Sequence, residues 1–163
     1  MSHRCFNCGG NLESRRETRR YGRGIDVVLV GIEVRHCDVC GEEEVVIPQI
    51  KELHNTIARD LVDRPGLLSP GEIRFLRTHM GFSSKDFAKH MGVTPETVSR
   101  WENSRNPMKI RKTADRLIRF SVQSGMKFQD YQPPAFDEDT EDAIKTPRFG
   151  LSNNSWEPVA TAQ

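Results

Sequence analysis

The stretch Phe87-Ala88-Lys89-His90-Met91-Gly92-Val93-Thr94-Pro95-Glu96-Thr97-Val98-Ser99-Arg100-Trp101-Glu102 decides how the rest of the chain is read. It predicts two short helices meeting at a sharp turn. Ala88 lets the next helix cross closely, Gly92 supplies the turn, and Val93 and Val98 lock the two helices together. The first helix runs from Lys85 to about His90, capped by Ser83 or Ser84, and buries Phe87, Ala88 and Met91. Thr94-Pro95-Glu96-Thr97 opens the second, which runs to about Asn103.

The flanking sequence is helical on both sides. Upstream, Ser69, Pro70 and Glu72 form a capping-box pattern, Ile73, Leu76 and Met80 face inward, and Gly81 ends the helix. Downstream of Asn106-Pro107, the residues Ile110, Ala114, Leu117, Ile118 and Val122 make the apolar face of a longer helix. Further upstream, Ile50, Leu53, Ile57 and Leu61 recur at helical spacing, Pro48 suits the first turn, and Arg64-Pro65-Gly66 ends the element. Before Pro48 the pattern changes. Ile25 to Val34 is rich in β-branched residues and reads as one or two strands, with Gly31 a bulge or bend; Glu43–Ile47 is a further strand.

A helix pair of this shape is a helix-turn-helix unit, whose second helix can enter the DNA major groove with its first turns facing base edges. The residues placed there are Thr94, Pro95, Glu96, Thr97, Ser99 and Arg100. Arg100 has the donors to take a guanine at O6 and N7. Ser83, Ser84 and Lys85 begin the preceding helix, where free N–H groups can hold a phosphate. Residues 98–119 hold seven bases, Arg105 and Lys109 among them, against Glu102 and Asp115, a net of +5. That cluster is what phosphate-backbone binding needs. The competing reading is an ordinary helical hairpin.

The whole-chain balance hides this cluster. The 163 residues carry 24 Lys and Arg against 23 Asp and Glu. Residues 129–163 hold two bases and seven acids, a net of −5, which leaves +6 on residues 1–128. With four prolines and few aliphatics, that tail is expected to be disordered. Residues 137–142 could compete with DNA for the basic face, or the tail could serve solubility alone. No apolar run approaches the roughly 18 residues of a membrane span. The first residues lack the apolar core of a secretory signal, so we expect a cytoplasmic protein without a membrane partner. An enzyme is not expected, because no Ser/His/Asp set, phosphate loop or open metal position is visible.

Cys5-Phe6-Asn7-Cys8-Gly9 and Cys37-Asp38-Val39-Cys40-Gly41 repeat one unit. Each CxxC turn aims two thiolates at one point, and the glycine permits a turn whose N–H groups donate to sulfur. Two such units supply the four sulfur ligands of a structural zinc ion, Cys5, Cys8, Cys37 and Cys40. Unrelated free thiols, a redox CxxC and an iron–sulfur centre are the alternatives. Four thiolates leave no open position, so His3 and His36 read as surface histidines. A small β module with few large apolar residues also needs such a staple. Arg15, Arg16, Arg19, Arg20 and Arg23 could touch nucleic acid or an acidic protein, or line a solvated hairpin.

Taken together, CxxCG, a β segment, a second CxxCG, a helix after Pro48 and the helix-turn-helix resemble the MqsA/YgiT-type zinc-finger antitoxins over about residues 3–124. The segment Glu72 to Pro107 resembles an XRE/Cro-type domain. The resemblance implies an α+β chain: a zinc-ribbon-like module at 1–47, a linking helix and turn at 48–66 and a lambda-repressor-like helix-turn-helix domain at 67–126; the disordered acidic tail at 127–163 is not part of the family pattern. It implies zinc on the four cysteines and Arg100 as a base reader. It further implies a homodimer on a double-stranded DNA operator, autorepression, and a toxin bound by the N-terminal module. The position three to four residues before Arg100, usually an uncharged polar reader, is Glu96 or Thr97 here; a carboxylate could accept from cytosine N4 but would repel phosphates, so the operator is expected to differ. The alternatives are a free-standing regulator of this layout or an interaction adaptor without a toxin.

Overall fold

The computed structural model describes residues 4–22, 24–125, 149–152 and 155–158. The chain divides into two compact units, Met1–Pro133 and Pro134–Gln163. The first begins with an antiparallel three-stranded sheet in the order β1 (Leu12–Tyr21), β2 (Val27–Cys37), β3 (Glu43–Val46). Five helices follow: α1 (Ile50–Asp63), α2 (Pro70–His79), α3 (Ser84–Met91), α4 (Pro95–Trp101) and α5 (Lys112–Gln123). Among the described residues, no helix is long and apolar enough to cross a membrane.

The expected β segment around Gly31 is one long strand with a bulge. Leu12 pairs with Cys37 and Tyr21 with Val27, and the register shifts between Glu17 and Arg19. Val30 and Gly31 lie opposite the single residue Thr18, and Gly31 takes φ 71°. A bulge of this kind sharpens the twist. The arginine run lies on β1, where its charges are largely met within the sheet. Arg15 pairs with Glu13, Arg19 with Glu17 and Glu43, and Arg16 donates to the Gly31 carbonyl. This favours the solvated-hairpin reading of those arginines; Arg23 lies outside the described residues.

The sheet is tied to the helices through its hairpin tip. Ile25 belongs to the same buried cluster as Ile57, Leu61, Ile73 and Leu76, and Tyr21 and Val27 pack against it. The Tyr21 hydroxyl lies 2.6 Å from His54 Nε2 on α1. His54 meets Phe75 edge-on, and Phe75 stacks on His79. Gly24 and Gly71 approach so closely that a Cβ on Gly71 would overlap the Gly24 carbonyl.

The helix boundaries follow local chemistry. In α2 the Ser69 side chain accepts from the Glu72 N–H and the Glu72 carboxylate accepts from the Ser69 N–H, a complete capping box. Ser83, not Ser84, caps α3. Pro48 lies outside α1: the cap residue is Gln49, in the left-handed region at φ 50°. The fourth helix ends at Trp101, two residues before the expected Asn103, because its last turn gives way to a loop held by other bonds. In that loop the Met108 N–H donates to the Arg100 carbonyl, and Asn103 Oδ1 accepts from the N–H groups of Arg105 and Asn106. Ile110 precedes α5 yet is buried, as is Ile118, so both close the helical core.

The expected disordered tail falls mostly outside the described residues. Those described there form two paired strands, β4 (Phe149–Ser152) and β5 (Ser155–Pro158), in antiparallel register from Phe149↔Pro158 to Ser152↔Ser155. A two-residue connection suits such a hairpin, and the acids that argued for disorder cluster ahead of it at 137–142.

Candidate nucleic-acid interface and metal centre

Helices α3 and α4 meet at Gly92, which caps α3 at φ 63° and ψ 37°. A side chain there would pay the strain of the left-handed region. Val93 N–H then bonds back to the Ala88 carbonyl at 2.9 Å. Ala88, Val98 and Trp101 are buried at the crossing. The remaining face of α4 is open: Thr94, Pro95, Glu96, Ser99 and Arg100 are exposed and Thr97 is half-buried. Thr94 is the cap, its Oγ1 accepting from the Thr97 N–H at 3.3 Å and lying 3.2 Å from Thr97 Oγ1. Glu96 is held below the usual carboxylate range, first by its own backbone N–H, then by the Thr94 hydroxyl and the charge of Arg100.

The start of α3 offers less to an anion than its sequence suggests. Ser83 Oγ accepts from the Asp86 N–H and donates to Asp86 Oδ2 at 2.6 Å. A carboxylate thus already occupies part of that helix end. Ser84 is half-buried and Lys85 exposed.

The charge of residues 98–119 changes when burial is taken into account. Glu102 is only 6% exposed; Arg77 Nε donates to its Oε1 at 2.6 Å and Arg77 Nη2 to its Oε2 at 3.1 Å, with Arg74 alongside. Asp115, also buried, accepts from the Leu68 N–H at 2.8 Å and from Arg119 Nε at 2.9 Å. Arg119 further donates to the carbonyls of Leu61, Val62, Arg64 and Gly66 at the end of α1. Arg119 is therefore structural and leaves the phosphate-binding set. Both acids of the segment are neutralised inside, while Arg100, Arg105, Lys109, Arg111, Lys112 and Arg116 stay exposed. The exposed charge of this stretch is all basic.

Two signals pointed toward these buried pairs. Asp115 and Arg119 stand four apart on one helix, the spacing of a side-chain ion pair. Glu102 is a lone acid at a helix end within a basic run. Its partner Arg77 lies 25 residues away, and no local pattern names it.

The four cysteines come together. Their Sγ atoms all lie within 4.8 Å of one another, with Cys5–Cys40 at 3.7 Å and Cys8–Cys37 at 3.4 Å. A tetrahedron of sulfurs about 2.3 Å from a metal has edges of about 3.8 Å, so the set can hold a tetrahedral metal ion. The two turns repeat one design: Gly9 N–H bonds to the Cys5 carbonyl and Gly41 N–H to the Cys37 carbonyl, with φ 73° and 72°. N–H groups of Cys40 and Val39 hold the Cys37 thiol down at about 7. Cys8 receives the Gly10 N–H, which favours its thiolate, yet hydrogen bonds to Cys37 and Cys40 and burial leave it raised to about 12. Four thiols this close resist carrying their charges together, and a bound cation would balance those charges.

His36 is not directed at the cluster: its Nε2 meets Glu17 and its Nδ1 meets Glu43. His3 lies outside the described residues. Gly10, unremarked in the sequence, is a close-packed position, since a Cβ there would lie 2.8 Å from Val39 Cγ2 and 3.1 Å from Cys37 Sγ. The doubled Gly9-Gly10 was its one visible signal.

Residues 73–112 match the helix-turn-helix family model HTH_3. The match spans most of α2, all of α3 and α4, and the loop to the start of α5. This segment is an XRE-type helix-turn-helix domain, the kind found in DNA-binding regulators. None of the curated proteins compared with the chain matches it.

Proposed function

We propose that the chain is a sequence-specific DNA-binding transcriptional regulator, an autorepressing antitoxin of a type II toxin–antitoxin system carrying a structural zinc ion. The observation that carries the DNA-binding part is the open face of α4 beside six exposed bases and no exposed acid in residues 98–119. Thr94, Pro95, Glu96, Thr97, Ser99 and Arg100 face the major groove, with Arg100 reading guanine. Lys85, Arg105 and Lys109 are the phosphate side of the contact, with Ser83 and Ser84 contributing at a helix end that Asp86 partly fills. Two copies bind a pseudo-palindrome with recognition helices about 34 Å apart. Leu117 and Phe120 on α5 are exposed one turn apart and support the dimer.

Zinc is supported by the all-cysteine donor set and the sulfur spacing. With four thiolates its role is to hold the two knuckles together. Phe6 is fully exposed and Val39 is 71% exposed at the knuckle tips, with Val30 open on β2. That apolar surface supports a protein partner for the N-terminal region, which also suits the adaptor reading.

The deciding experiment is fluorescence anisotropy with the chain's own upstream DNA. Specific binding should survive nonspecific competitor, and log K should fall with log salt by about 0.9 per phosphate contacted. Arg100→Ala should weaken specific binding by about 1–3 kcal/mol and relax one base position. Binding that competitor abolishes would overturn the regulator reading. The toxin stands or falls on co-purification with the product of the adjacent reading frame, and zinc on metal analysis with spectroscopy that counts sulfur ligands.

A further inference from the structure

We infer that Glu96 is a base reader that selects a cytosine, about two base-pair steps from a guanine taken by Arg100. This rests on the DNA-reading role proposed above for α4 and adds the identity of the bases read.

Helix α4 is capped without a carboxylate at its third position. In α2 the acid at the third helical position closes the capping box with Ser69, and in α3 Asp86 is bonded to Ser83. In α4 that position is Thr97, whose N–H is already met by the Thr94 hydroxyl. Glu96 stands one residue earlier, exposed on the open face. Its own N–H and the Thr94 hydroxyl keep it ionised and use part of its acceptor capacity. An ionised carboxylate has about four acceptor sites, so some remain for a ligand.

In the major groove an acceptor-only group can meet only base edges that offer a donor. Guanine presents O6 and N7 and thymine O4, all acceptors that repel a carboxylate. Adenine sets its N6 donor beside the N7 acceptor, an arrangement suited to Asn or Gln, which carry both a donor and an acceptor. Cytosine presents the N4 donor without such an acceptor on the same base. Glu96 therefore discriminates in favour of cytosine.

Glu96 and Arg100 are four residues apart and share one helix face. Four residues advance about 6 Å along the axis, close to two steps of 3.4 Å in the duplex. Repulsion between a carboxylate and the phosphates would weaken binding were it isolated. Here Arg100, Arg105, Lys109 and Lys85, all exposed, outnumber it.

The test is selection of binding sites from a randomised duplex library by the full chain, by E96Q and by R100A, with thermal melting to check that each variant is folded. The wild-type motif should contain a cytosine column and a guanine column about two steps apart in each half-site. In E96Q the cytosine column should become adenine while the guanine column is kept, and affinity for the wild-type site should fall about tenfold. R100A should lose the guanine column alone. An E96Q motif identical to wild type overturns the inference and leaves the DNA-reading role standing. A wild-type chain that enriches no motif overturns that role, and the inference with it.

Discussion

Among the helices, Leu61, Ile73, Leu76, Phe87, Val98 and Ile118 are almost wholly buried in one cluster. In the sheet and its cysteine turns, away from the hairpin tip, the buried apolar residues among those described are Cys5, Val34 and Cys37. One part of the chain is thus organised by apolar burial, the other by a four-sulfur cluster at one end and a borrowed core at the other. The difference follows from composition: β1 carries four arginines and two glutamates in ten residues and has little to bury. A thin sheet of this kind needs a staple, and its ends are where the staples lie.

The sharpest way to break this comparison is to remove the cluster. With zinc in place, Cys37→Ser or a chelator should abolish metal binding, whose contribution is on the order of 10 kcal/mol in small zinc modules. Amide exchange should then rise across residues 4–47 while 70–123 stay protected. A sheet that stays protected without metal would show that the hairpin tip suffices.

Next in size is the buried ion pair of the helical region. Glu102→Ala leaves the mostly buried Arg77 guanidinium without its carboxylate, which should cost about 3–5 kcal/mol in urea unfolding. A much smaller loss would mean that Arg77 finds water or the Phe82 carbonyl sufficient.

The tip contact gives a smaller effect. Gly71→Ala should cost about 1–3 kcal/mol, because the added Cβ presses on Gly24 and lifts the hairpin from α2. Fluorescence of Tyr21 and Trp101 would report it, Tyr21 changing and Trp101 staying constant.

The smallest effect separates the two regions by pH. Burial, then the charge of His54, holds His79 below the ordinary histidine value, and burial does the same for His90. The unfolded chain then binds more protons than the folded one as pH falls below about 6.5, so the helices lose stability there. Glu17 in the sheet is lowered, first by its hydrogen bond to His36 and also by Arg19. Its stabilisation is present above about pH 4.5 and is lost as pH falls through its lower folded value. Thermal melting of H79Q across pH 5–7 should show a flatter helical transition than wild type.

Much of this was legible in the chain. Ser69-Pro70-Gly71-Glu72, Gly92 and Thr94-Pro95 are local signals, and the helix ends they mark depend on neighbours within four residues. The paired CxxCG units worked for the same reason: each turn is local, and four thiols need one meeting point. Charge arithmetic was only half right. It counted Glu102, Asp115 and Arg119 as surface charge, because a sum over sequence carries no burial. Pro48, expected in the first turn of α1, lies two residues ahead of Ile50, because Gln49 takes the cap position in the left-handed region.

Sequence alone thus determined the order of the helices, the turn between α3 and α4, and the set of cysteines, but neither β1 nor the β4–β5 pair. These rest on backbone preference and short-range bonding, which act before the chain is compact. Only the tertiary structure decided that Arg77 meets Glu102, that Arg119 closes the end of α1, and that Ile25 at the hairpin tip enters the helical core. Those contacts join residues about 25 to 55 apart. Their partners are chosen by which side chains the packed helices leave side by side, and burial then makes a missing partner too costly to tolerate.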